Sequence, residues 1–144
     1  MGRNWIALGL LTLLVAACQT KGVFDPGWER AVGQVDPALS SVQMITAPTS
    51  ARVNVPFTVT VRTLGRSPCT RAADMDVVVS GLNVDITPYD EYARTSPYCR
   101  DDLKAFEHTA SVTVGTAGQA RVRLHARTLA GADYTYDAAV TVQP

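Results

Sequence analysis

A period of two is the strongest constraint on how this chain can fold. In three stretches near its end, 106–114, 120–128 and 134–142, apolar and polar side chains take turns. Ala110, Val112 and Val114 alternate with Thr109, Ser111 and Thr113, and Val122, Leu124 and Ala126 with Arg121, Arg123, His125 and Arg127. In the last stretch Tyr134, Tyr136, Ala138, Val140 and Val142 alternate with Thr135, Asp137 and Thr141. Successive side chains of a strand point to opposite faces, so each stretch asks for one dry face and one wet face. Gly115-Thr116-Ala117-Gly118 and Ala130-Gly131-Ala132-Asp133 between them are turn material suited to antiparallel neighbours. Earlier, Val53, Val55, Phe57, Val59 and Val61 alternate with Asn54, Thr58, Thr60 and Arg62. Pro56 cannot donate to a ladder, which places that strand at an edge or a bulge. Further strands are expected at 42–47, 75–79 and 84–87, giving seven in all.

Seven alternating strands predict an all-β fold, an antiparallel β-sandwich over 40–144. On strand count and alternation, 41–143 resembles the immunoglobulin-like and fibronectin type III-like β-sandwich domains. The resemblance is one of architecture. No tryptophan follows Cys69, as the antibody-type core would require, and the architecture by itself selects no function.

The beginning of the chain is a different material. Arg3 precedes a run from Trp5 to Ala17 that carries no charge, the form of a secretion leader. Its 13 residues fall short of the roughly 20 that a helix needs to cross a bilayer. Val15-Ala16-Ala17-Cys18 then resembles the lipobox of bacterial lipoproteins, with an aliphatic residue, two small residues and a cysteine. That resemblance implies cleavage before Cys18, a diacylglycerol on its thiol and a further acyl chain on the new amino terminus. Two or three chains make a durable anchor where one is marginal. Gln19, rather than an aspartate, follows the cysteine, which favours the outer membrane if the source has one. The expected organisation is therefore a signal peptide over 1–17, a lipidated N-terminus and linker over 18–39, and the sandwich over 40–144. Within the linker, Gly22, Asp25-Pro26-Gly27, Gly33 and Asp36-Pro37 signal turns. Trp28, Ala31, Val32 and Val35 recur at helical spacing, which allows a turn or two of helix there.

Export changes how Cys69 and Cys99 are read. An even pair in an oxidising compartment points to a disulfide. Thirty positions apart, without a Cys-x-x-Cys or a nearby histidine motif, they do not have zinc spacing, and no metal ligands or cofactor are assigned. Thirteen basic and thirteen acidic side chains cancel, which argues against a nucleic-acid partner.

Two surface features are candidates for binding. The excursion from Pro88 to Lys104 reads as a loop carrying Tyr89, Tyr92, Tyr98, Arg94 and Arg100, residue types suited to an envelope protein or a glycan. Arg121, Arg123 and Arg127, with His125, form a stripe about 20 Å long on one outward strand face. Carboxylates of adjacent strands, such as Asp137 or Glu107, are expected to balance it. No catalytic residue is assigned: His108 has inward parity, His125 outward parity, and neither belongs to a metal or nucleophile motif. The best reading is a lipid-anchored structural or interaction module of the cell envelope. The alternatives are an exported enzyme with a spatially assembled site, marked by a deep pocket where a histidine meets carboxylates or a serine, and a periplasmic assembly helper acting by strand addition.

Overall fold

The computed structural model describes residues 27–39, 43–96 and 98–144. The expected leader over 1–17, Cys18 and the start of the expected linker lie outside them. Ten strands follow in order: β1 (Trp28–Val32), β2 (Gln34–Val35), β3 (Ile45–Thr46), β4 (Ser50–Arg52), β5 (Phe57–Arg66), β6 (Thr70–Ser80), β7 (Asn83–Ala93), β8 (Leu103–Val112), β9 (Gly118–Thr128) and β10 (Asp133–Gln143).

The fold is all-β, as the alternation requires, and resembles a sandwich in its two facing layers. One layer runs β6-β7-β9-β10-β4 and the other β8-β5-β3. Two expectations are corrected. The described residues form ten strands instead of seven, and the pairing is mixed: β7 with β9, β2 with β9, and β10 with β4 are parallel. The layers are also joined into one curled sheet, because β2 pairs with β9 on one side and with β5 on the other.

Residues 28–32 and 34–35, expected as linker with some helix, are strand. The reason is non-local. β9 pairs with β7 only from Asn83 to Ile86, which leaves the backbone of Tyr89 to Ala93 in want of partners along that edge. β1 supplies them, with Trp28 opposite Ala93 and Val32 opposite Tyr89. Backbone groups at a sheet edge that is otherwise enclosed need such partners. At Gly33 the chain leaves β7 for β9: its N–H donates to Pro88 O at 2.9 Å, and its carbonyl accepts from Arg127 N at 3.0 Å. The strand predicted from Val53 to Val61 is also shifted. Val53 and Asn54 form a turn and Pro56 precedes β5, so proline ends the irregular segment and does not interrupt the ladder.

The alternating residues of the sequence build the interior. Val59, Val61, Val84, Ile86, Val112, Val122, Leu124 and Val140 are almost wholly buried in one cluster. Each such side chain contributes about 1.5–3 kcal/mol relative to exposure.

Gly33 has no room for a side chain. A Cβ there would overlap Thr63 Cγ2 and lie 3.1 Å from Asp90 Oδ2. Gly33→Ala is expected to destabilise the domain by about 1–3 kcal/mol, the usual cost of overpacking. The lowered midpoint in urea unfolding is the check.

Candidate functional site

The five residues of the expected tyrosine loop do not share a loop. β7 continues to Ala93, so Tyr89 and Tyr92 are strand residues on opposite faces. Tyr89 faces outward beneath Arg30, whose guanidinium carbon lies 3.4 Å from the ring centroid. Tyr92 faces inward. Arg94 follows the strand and pairs with Glu29 at 2.9 Å. Arg94, Tyr98 and Arg100 fall between β7 and β8, outside any strand, and all three are exposed.

That segment is held by the disulfide. Cys69 and Cys99 are bonded, as the pair of cysteines suggested. Cys69, in the turn between β5 and β6, is buried at 6% exposure. Arg100 N also donates to Ser67 O at 3.1 Å. Beside the bridge opens a cleft of about 420 Å³, lined by Tyr92, Ala93, Leu103 and Leu129 among others. Its mixed lining of ring, aliphatic and amide groups could hold a small amphiphilic group or a peptide side chain.

The arginine stripe is present on the outer face of β9 and is neutralised there. Asp137 of β10 takes both Arg121 and Arg123, the latter at 3.1 Å. Arg127 lies 3.5 Å from Asp133, and His125 Nε2 lies 2.8 Å from Asp85. Asp137 was foreseen in this role, whereas Glu107 pairs with Arg62 instead. The Arg121 hydrogen bond foremost, joined by that of Arg123, holds the Asp137 carboxyl below its ordinary range. Exposed pairs of this kind contribute little to stability, but they remove the surplus charge that a polyanion would need.

A buried polar cluster was not foreseen as a unit. Asp90 of β7 and Thr63 of β5 are fully buried, and His108 of β8 nearly so. His108 Nε2 lies 3.0 Å from Asp90 Oδ1 and 3.0 Å from Thr63 Oγ1. The Tyr92 hydroxyl donates to Asp90 Oδ2 at 3.4 Å. Inward parity was read correctly for His108. The signal for Asp90 was available too, because Val84, Ile86, Pro88, Asp90 and Tyr92 fall on every second position.

Chemically, the cluster is wired as a pin between layers. In a nucleophile relay, one imidazole nitrogen faces the hydroxyl and the other faces the carboxylate. Here Thr63 and Asp90 converge on the same nitrogen, and the group is enclosed. His125 meets its carboxylate on an open strand face. Among the described residues, no cluster of three or more His, Cys, Asp or Glu side chains is placed to hold a metal ion.

Two measurements follow from this geometry. Cys69→Ala is expected to destabilise the domain by about 2–4 kcal/mol, because the bridge closes a long loop; urea unfolding with and without reductant reads the difference. Burial, then the charge of Asp90 and the bond to it, raise the Tyr92 pKa above its ordinary 10.0. The folded state therefore holds that proton more tightly, so its stabilising effect is complete below pH 10 and declines as the pH rises beyond it. Tyr92→Phe is expected to flatten this alkaline decline in pH-dependent unfolding.

No protein-family model, no curated protein and no solved structure matches this chain.

Proposed function

We propose that this chain is a lipid-anchored structural or interaction module of the cell envelope. The observation that carries the reading is the Cys69–Cys99 disulfide. A bond of this type persists in an oxidising compartment, the destination that a charged and apolar leader ending in Val15-Ala16-Ala17-Cys18 implies. Each feature was read from different residues, and both point to export. The compact all-β body agrees with a structural or binding role, as do the neutralised arginine stripe and the pin-like wiring of His108. The partner class that suits the cleft is an envelope protein or glycan, met by a ring and aliphatic surface instead of a strong field.

Lipidation gives the sharpest test. Intact-mass measurement of protein extracted from membranes is expected to show a chain beginning at Cys18 with acyl mass. Cys18→Ala is expected to abolish incorporation of labelled lipid and to move stable protein into the soluble fraction. A membrane-bound chain that retains residues 1–17 and carries no acyl mass would refute the reading.

A further inference from the structure

The chain that would tie the domain to a bilayer enters it at one end. β1 begins with Trp28 opposite Ala93, the last residue of β7. Ala93 lines the same cleft as Leu103, Leu129 and the disulfide. Nine residues, 19–27, separate Cys18 from Trp28, and ten fully extended steps reach about 35 Å at most. β9 and β10, with 11 residues each, span about the same distance at roughly 3.3 Å per residue. A tether no longer than the domain keeps the end it leaves from nearest the anchor.

The side chains at that end suit a lipid surface. Tyr98 is 70% exposed, Leu103 43% and Leu129 37%. Tyr98 and Arg100 line one shallow hollow, and Lys104 follows Leu103 in β8. Nearby Arg66 and Arg94 are engaged by Asp101 and Glu29. Arg100 and Lys104, in contrast, form no ion pair among the described residues, nor does exposed Asp102 between them, which leaves a surplus of one cation in this stretch. Aromatic and aliphatic side chains flanked by cations are the composition that settles at the headgroup boundary, and anionic headgroups attract cations close to the surface. The disulfide at Cys99 fixes the backbone between Tyr98 and Arg100, so little ordering is needed on contact.

We infer that the disulfide end of the domain rests on the bilayer that holds its own lipid. Tyr98, Leu103 and Leu129 then meet the headgroup boundary, and Arg100 and Lys104 meet anionic headgroups. This inference rests on the lipid-anchor reading above and adds an orientation to it.

Hydroxyl-radical footprinting of the lipidated protein tests it, in vesicles of phosphatidylcholine with added phosphatidylglycerol. Tyr98, Leu103 and Leu129 are expected to label several-fold less than in the soluble Cys18→Ala protein. Val78 and Val79, exposed at the opposite end beside the turn from β6 to β7, are expected to label equally in both. An R100E/K104E variant that keeps its anchor is expected to regain labelling at Tyr98. Equal labelling of both ends in protein whose mass shows the acyl chains would overturn the orientation and leave the anchor standing. A mass without acyl chains would overturn both. Protection of Tyr98 in the Cys18→Ala protein without vesicles would assign this end to contact between copies and overturn the inference.

Discussion

Where the segment 28–35 passes from β7 to lie between β9 and β5, two layers become one sheet, and its course depends on a gap the width of a hydrogen atom at Gly33. Gly33 bonds Pro88 on one side and Arg127 on the other, while Thr63 and Asp90 crowd the place where its side chain would stand. Two residues later Val35 is buried in the core. The segment therefore satisfies backbone groups of β7 and β9 at Gly33, reaches β5 through Gln34 opposite Leu64, and fills the interior between the layers with Val35. The polar cluster lies against the same point. Asp90 reaches from β7 to His108 of β8, beside Thr63 of β5, so the layers are pinned by side chains where the backbone joins them. Enclosed polar groups of this kind are costly when a partner is missing, which ties the placement of each strand to the others.

Much of this was legible in the alternation, for a definite reason. β9 and β10 have one face against the core and one toward water, so Val122, Leu124, Val140 and Val142 reveal their side by parity alone. β7 was legible only to Thr87. Pro88 reads as a terminator, yet it sits in the strand with its oxygen accepting from Gly33. Counting past it by twos would have placed Asp90 and Tyr92 inside and separated Tyr92 from Tyr89. β1, β2 and β4 could not be read in this way. They are short, and what makes them strands is the vacant edge of a partner distant in sequence. The signals within 28–35 were local and suggested helix, but the pairing with β7 decided otherwise.

The surface has its own division. On the outer face of β9, cations alternate with core residues along the strand and find carboxylates on β7 and β10, so charge is settled within the sheet. At the disulfide end, Arg100 and Lys104 stand apart from such pairs among the described residues. Inside, valines predominate: they make up nine of the fourteen residues in the described core cluster. Compact β-branched side chains suit a pleated interior, which explains how a sandwich-like body forms without a central tryptophan.

The parallel pairing of β4 with β10 has a consequence for how the molecule is made. Ser50 lies opposite Thr141 and Arg52 opposite Gln143, so an early strand waits for the last residues of the chain. β2 likewise waits for Arg127 and Thr128. Pairings so distant in sequence form late, because the intervening chain must be closed first. The core, which counts Val122, Leu124, Val140 and Val142 among its buried residues, therefore cannot close around β2 and β4 until β9 and β10 are there to pair with them.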